Sequence, residues 1–85
     1  MKIEKKKIAI IGMGYVGLPL AVAFQKKYSV IGYDINHIRV LELKKSHDKT
    51  LEISKSIIKK SINLKFTSNP KDLSDCDVFI ITVPT

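Results

Sequence analysis

Three glycines at GxGxxG spacing, Gly12, Gly14 and Gly17, separate an apolar run, Ile8-Ala9-Ile10-Ile11, from a stretch of helix-forming residues. A strand that feeds this spacing must stop, turn sharply and enter a helix at once. The first glycine permits the turn, the second lets backbone approach a pyrophosphate, and the third lets the helix press on the strand. Free N–H groups at the helix start then face phosphate oxygens. A second apolar run, Val30-Ile31-Gly32-Tyr33, delivers Asp34, 22 residues after Gly12. About 20 residues is the offset at which a carboxylate meets the adenine ribose of a dinucleotide. GxGxxG alone is a weak signal; in this strand–turn–helix–strand–acid order it predicts a dinucleotide-binding turn.

The rest of the chain continues the alternation. The first strand is read over Lys7 to Ile11, continuously apolar from Ile8, as for a strand buried on both faces. In the helix after Gly14, the residues Val16, Leu20, Ala23 and Phe24 form the expected apolar stripe. Pro19 falls at the edge of its first turn, where a missing N–H is tolerated. The second strand runs from about Ser29 to Asp34. Asn36 is the expected N-cap of a helix through Lys45, with Ile38 and Leu41 facing inward. His47-Asp48-Lys49-Thr50 reads as a loop. Ser54 caps a further helix that places Ile53, Ile57, Ile58 and Ile62 on one side and Lys55, Lys59 and Lys60 on the other. Leu64 to Thr67 is a short third strand, Ser68-Asn69-Pro70 a turn, and Asp72 to Asp77 an irregular link. Val78 to Val83, rich in β-branched residues, is the fourth strand.

Strands alternating with helices imply parallel pairing and right-handed crossovers. The predicted fold is therefore α/β, a Rossmann-type doubly wound parallel sheet of about four strands in the order 3-2-1-4. Eighty-five residues are fewer than the roughly 150 of a complete six-stranded domain. Residues 1–85 are accordingly expected to be the N-terminal portion of such a domain, truncated after the fourth strand.

Net charge is +7, from 15 basic and 8 acidic residues, but 14 of the basic residues are lysines dispersed along the chain. Dispersed lysine without interleaved aromatics describes a solvated surface, and no nucleic-acid partner is expected. The field would still draw anionic ligands toward the site. One cysteine excludes an internal disulfide framework and suits a reducing, cytoplasmic setting. The charged N-terminus leads into too few apolar residues for a signal-peptide core or a membrane span.

Asp34 would accept hydrogen bonds from both ribose hydroxyls and repel a 2′-phosphate, which favours NAD over NADP. Arg39, five residues on, complicates this, since an arginine there can stack near adenine, reach a phosphate or serve NADP. Cys76 lies between Asp75 and Asp77, whose charges raise a thiol pKa, so it is not expected to be a nucleophile. His37 and His47 have no metal-ligand spacing around them, and no metal or catalytic group is assigned.

At these residues the chain resembles the UDP-glucose/GDP-mannose dehydrogenase family. The resemblance is carried by Ile8 to Ala21, above all Tyr15-Val16-Gly17-Leu18-Pro19, and by Gly32-Tyr33-Asp34-Ile35-Asn36 with Arg39 and Val40. Met13 is a mild departure at a variable position. Val83-Pro84-Thr85 resembles the end of the family's fourth strand, where backbone and a threonine approach the nicotinamide half of NAD. His47 to Ser54 resembles the branch that oxidises UDP-N-acetylhexosamines for bacterial surface polysaccharides.

The resemblance implies NAD contacts at Gly12, Met13, Gly14, Tyr15, Val16, Gly17, Asp34, Arg39, Pro84 and Thr85. Val16 would offer its backbone to the pyrophosphate. It further implies oxidation of a sugar C6 hydroxyl to a carboxylate in two hydride transfers through a cysteine-bound thiohemiacetal. The catalytic cysteine and the UDP-sugar domain would lie beyond Thr85, and the complete protein would be a homo-oligomer. The fragment alone is expected to be inactive. A non-catalytic dinucleotide-sensing module is the alternative that the same motif allows.

Overall fold

The computed structural model describes residues 6–48 and 53–82. It opens with strand β1 (Lys7–Ile11), helix α1 (Gly17–Phe24), strand β2 (Ser29–Tyr33) and helix α2 (His37–Lys44). Helix α3 (Lys55–Lys60), strand β3 (Leu64–Thr67), a single 3-10 turn (Pro70–Leu73) and strand β4 (Val78–Ile81) follow. The four strands form one sheet in the order β3-β2-β1-β4. All pairings are parallel, with Ile8 opposite both Val30 and Val78, and Val30 opposite Leu64. This is the expected topology. Asn69 caps the 3-10 turn by accepting from the Lys71 N–H at 3.0 Å, which makes only the start of the Asp72–Asp77 link regular; residues 74–77 are irregular, as expected.

Because strand side chains alternate faces, this register puts Ile8, Ile10, Val30 and Leu64 on one side of the sheet. They share the core with Leu18, Ala21 and Val22 of α1, Leu43 of α2 and Ile58 of α3. All three helices therefore cover the same face. On the opposite face, Phe79 is 53% and Ile81 71% exposed, and no described helix lies over them. One face of β4 is therefore open, and the strand lies at the sheet edge.

The helices roll differently from what their apolar residues alone suggest. In α1 the buried positions are Gly17, Leu18, Ala21 and Val22, followed by Gln25. Val16 and Ala23 are exposed, while Leu20 and Phe24 pack only at the core's margin. The small residues Gly17 and Ala21 let the helix approach the sheet, and that contact sets its rotation. Pro19 is the third residue of α1, where no intrahelical donor is needed.

In α2 the inward residues are Val40 and Leu43, not Ile38 and Leu41; Ile38 is 65% exposed. Arg39 accounts for the rotation, because its Nε donates to the Met13 carbonyl at 2.7 Å. Arg39, Val40 and Leu43 fall on one arc of the helix, so this anchor turns that arc inward. Asn36 caps α2 as expected, accepting from the N–H groups of Ile38 and Arg39 at 3.1 and 3.2 Å. In α3 only Ile58 is fully buried; Ile57 and Ile62 are exposed and Ile53 is half-buried. The helix ends at Lys60, so Ile62 lies beyond the reach of helical periodicity. Ser54 caps it, accepting from the Ile57 N–H at 3.4 Å.

Candidate dinucleotide-binding site

The glycine turn is built where β1 ends, between β2 on one side and β4 on the other. Gly12 adopts φ +104°, a conformation that costs a residue with a Cβ about 1–2 kcal/mol. Its N–H donates to the Tyr33 carbonyl at 2.7 Å. A Cβ at Gly12 would also strike the Thr82 carbonyl, and one at Gly17 would overlap the Gly12 carbonyl. Gly14 is different: a Cβ there meets nothing within 4 Å. The first and third glycines are thus required by the protein's own packing, and the second leaves open space above the turn.

That space is lined by hydrogen-bond donors. Among the described residues, the N–H groups of Gly14, Tyr15, Val16 and Gly17 have no partner. No side chain caps α1 at Val16, and no acidic residue lies in its first turn. Such uncapped N–H groups, at the positive end of the helix dipole, suit a diphosphate. Tyr15 and Val16 are exposed beside them.

Asp34 sits immediately after β2, its own N–H held by the Thr67 carbonyl at 3.1 Å. One carboxylate oxygen accepts from the Met13 N–H and the other from the Asn36 N–H, both at 2.9 Å. Arg39 grips the other end of Met13 through the carbonyl. The acid singled out for the ribose and the arginine singled out for adenine or a phosphate therefore clamp the glycine turn between them. Met13 itself is fully buried, its side chain in the core and its peptide groups engaged on both sides.

Two residues of this site escaped the sequence reading. Thr82, just past β4, donates its N–H to the Ile11 carbonyl at 2.8 Å. Its hydroxyl lies 3.0 Å from the Ile11 carbonyl and 2.9 Å from that of Gly12, so it closes the turn from the β4 side. In sequence it was one more β-branched residue of a strand. Thr82→Val keeps its shape and removes the donor, which will cost about 1 kcal/mol. Thermal unfolding should show this as a midpoint lowered by about 4–8 °C; an unchanged midpoint would mean the hydroxyl contributes nothing to the turn.

The second is Asp48, whose side chain is 0% exposed and pairs with Arg39 at 2.8 Å. Its other oxygen accepts from the Ile53 N–H at 3.0 Å. Nothing in sequence spacing links positions 39 and 48, since a loop intervenes.

The remaining candidates separate cleanly. Burial pushes the Cys76 thiol up from its ordinary value, Asp75 and Asp77 push the same way, and Lys7 opposes them. The expected direction holds, although burial is its largest single cause. His37 and His47 are exposed, and His37 Nδ1 lies 2.9 Å from the Ser68 hydroxyl. Among the described residues no cluster of His, Cys, Asp or Glu could hold a metal, and no helix is long and apolar enough to cross a membrane. A groove lined by Leu43, Ile58, Ile62 and Phe66 shares no residue with the glycine turn. Val83, the expected end of the fourth strand, Pro84 and Thr85, with Lys49, Thr50, Leu51 and Glu52 of the resembling segment, lie outside the described residues.

The model of the UDP-glucose/GDP-mannose dehydrogenase family's NAD binding domain matches residues 6–85. The chain belongs to this family. NAD is thus the coenzyme of this domain, and the open, donor-lined turn with Asp34 beside it fits that ligand. Over 79 residues the domain is 53% identical to UDP-N-acetyl-D-glucosamine 6-dehydrogenase of Pseudomonas aeruginosa, covering 93% of this chain and 19% of that protein. It superposes on UDP-D-ManNAc dehydrogenase of Pyrococcus horikoshii with a TM-score of 0.80 and 36% identity, covering 91% of this chain and 20% of that one. GDP-mannose dehydrogenase of Pseudomonas aeruginosa matches with a TM-score of 0.81 and 26% identity, covering 92% of this chain and 19% of that one. The chain spans about one-fifth of the length of these relatives.

Proposed function

We propose that this chain is the coenzyme-binding portion of a nucleotide-sugar dehydrogenase that oxidises the C6 hydroxyl of a UDP-N-acetylhexosamine to a carboxylate, for surface polysaccharide synthesis. NAD, when bound, supplies the hydride acceptor for each of the two oxidation steps. The chain's own part is to hold it. The Gly14–Gly17 N–H groups receive the pyrophosphate, and the Asp34 carboxylate receives the adenine ribose hydroxyls. Arg39 forms the wall behind Met13, and Pro84 and Thr85 are assigned to the nicotinamide end. The cysteine chemistry and the sugar site belong to regions of the protein other than this domain.

The observation that carries the coenzyme assignment is the coincidence of four unpartnered N–H groups with an open Gly14 and a carboxylate at the end of the neighbouring strand. The sugar class is supported by the names of the relatives to which the sequence is most alike among those described above. The test is NADH formation by the complete protein with UDP-N-acetylglucosamine, UDP-N-acetylgalactosamine, UDP-N-acetylmannosamine and UDP-glucose. The proposal requires turnover with an N-acetylated sugar, two NADH formed per sugar, and little with UDP-glucose. A protein that binds NAD+ yet reduces it with none of these sugars would sink the enzymatic reading and leave a dinucleotide sensor.

A further inference from the structure

We propose that Asp48 sets coenzyme selectivity by holding Arg39 away from a 2′-phosphate. This rests on the coenzyme reading above and adds a specificity determinant to it. Arg39 is the sole arginine of the chain, and it stands in the first turn of the helix that follows Asp34. A guanidinium free to move there is the group that would accept the 2′-phosphate of NADP. In this structure two of its three nitrogens are engaged, and the third, Nη2, is buried without a partner among the described residues. Its Nε is engaged with the Met13 carbonyl at 2.7 Å, and Nη1 with Asp48 Oδ1 at 2.8 Å. Only 11% of the Arg39 side chain is exposed, and none of the Asp48 side chain.

Asp48 is itself fixed, since its second oxygen accepts from the Ile53 N–H at 3.0 Å. To reach a 2′-phosphate, Arg39 would have to break its buried ion pair with Asp48, which is unfavourable. With Arg39 kept in the pair, a 2′-phosphate would meet the Asp34 carboxylate with no cation released to offset it. The ion pair therefore removes an arginine from the set of phosphate ligands. Asp48 acts through Arg39 and is a positioning residue.

The test titrates NAD+ and NADP+ separately into the full chain, its Asp48→Asn and Asp48→Glu variants, and the double variant Asp48→Asn/Arg39→Gln. Asp48→Asn keeps the side-chain shape and removes the charge. The ratio of NADP+ to NAD+ affinity should rise about tenfold or more in this variant, equivalent to about 1.4 kcal/mol. It should stay at the parent value in Asp48→Glu, and the rise should vanish in the double variant. Because the ratio compares two ligands on one sample, it is independent of the fraction folded.

Should Asp48→Asn not fold at all, Arg39→Gln alone decides the matter. A selective loss of NADP+ affinity in that variant would show the arginine already reaching the phosphate and overturn the proposal; an unchanged ratio would support it. NAD+ binding with an unchanged ratio in a folded Asp48→Asn variant overturns this proposal only. Absence of NAD+ binding by the folded parent chain overturns the coenzyme reading, and this proposal with it.

Discussion

Gly17→Ala will destabilise the chain by about 3 kcal/mol or more, a cost at the upper end of that for overpacking a closely packed site. The added Cβ would overlap the Gly12 carbonyl and come within 2.8 Å of the Thr82 hydroxyl. Neither neighbour can retreat cheaply. Gly12 is tied to Tyr33 through its N–H, and Thr82 is tied to Ile11 through its own. Relief would require α1 to move off the sheet, uncovering Leu18, Ala21 and Val22, which belong to the core. The unfolding midpoint should fall by about 12–24 °C, at 4–8 °C per kcal/mol for a domain of this size. Gly14→Ala is the informative control. Its Cβ meets no protein atom within 4 Å, so stability should change by no more than about 1 kcal/mol. NAD+ affinity should nevertheless fall about tenfold or more, because the methyl occupies the approach to the turn's N–H groups. If both variants lost stability equally, the separation of packing glycines from the ligand-facing glycine would be wrong.

Asp34→Ala should weaken NAD+ binding by about 10–100-fold, since hydrogen bonds to a charged group contribute about 1.5–3 kcal/mol. The loss has two sources. The ribose hydroxyls lose their acceptor, and the glycine turn loses the carboxylate that holds the Met13 N–H at 2.9 Å. The second source is visible without ligand: an unpaired, part-buried N–H will cost about 1–3 kcal/mol of stability. Asp34→Asn separates the two further, because an amide presents one oxygen where the carboxylate presents two acceptors, to Met13 and to Asn36. Calorimetric titration of NAD+ and NADP+ should show NAD+ weakened in both variants and the preference against NADP+ reduced. Equal affinity of parent and Asp34→Ala for NAD+ would remove Asp34 from the ribose site.

Much of the fold was legible from local chemistry. Runs of apolar and β-branched residues located β1, β2 and β3 within one residue of their observed ends. Asn36 and Ser54 were recognisable as caps because short side-chain oxygens satisfy helix N–H groups wherever a helix begins. Strand order followed from alternation and handedness. The faces of the helices were not legible. Ile38 and Leu41 are as apolar as Val40 and Leu43, so hydrophobicity alone could not choose between the two arcs of α2. The choice was made by Arg39, a charged residue whose bond to Met13 turns the helix. In α1 the deciding residues were again the unremarkable ones, small enough at positions 17 and 21 for close approach.

The sequence by itself determined that a strand, a phosphate-sized turn, a helix and an acid-tipped strand follow one another, because glycine geometry and strand and helix propensities act over a few residues. It also determined the family, through Tyr15-Val16-Gly17-Leu18-Pro19 and the segment around Asp34. Only the tertiary structure decided that Asp34 and Arg39 grip the same residue, that Thr82 closes the turn, and that Asp48 neutralises Arg39. Each of those contacts joins positions between 9 and 71 residues apart, and such pairings arise only when the tertiary fold brings these strand ends, helices and loops together. Local propensity carries no information across that distance; packing does.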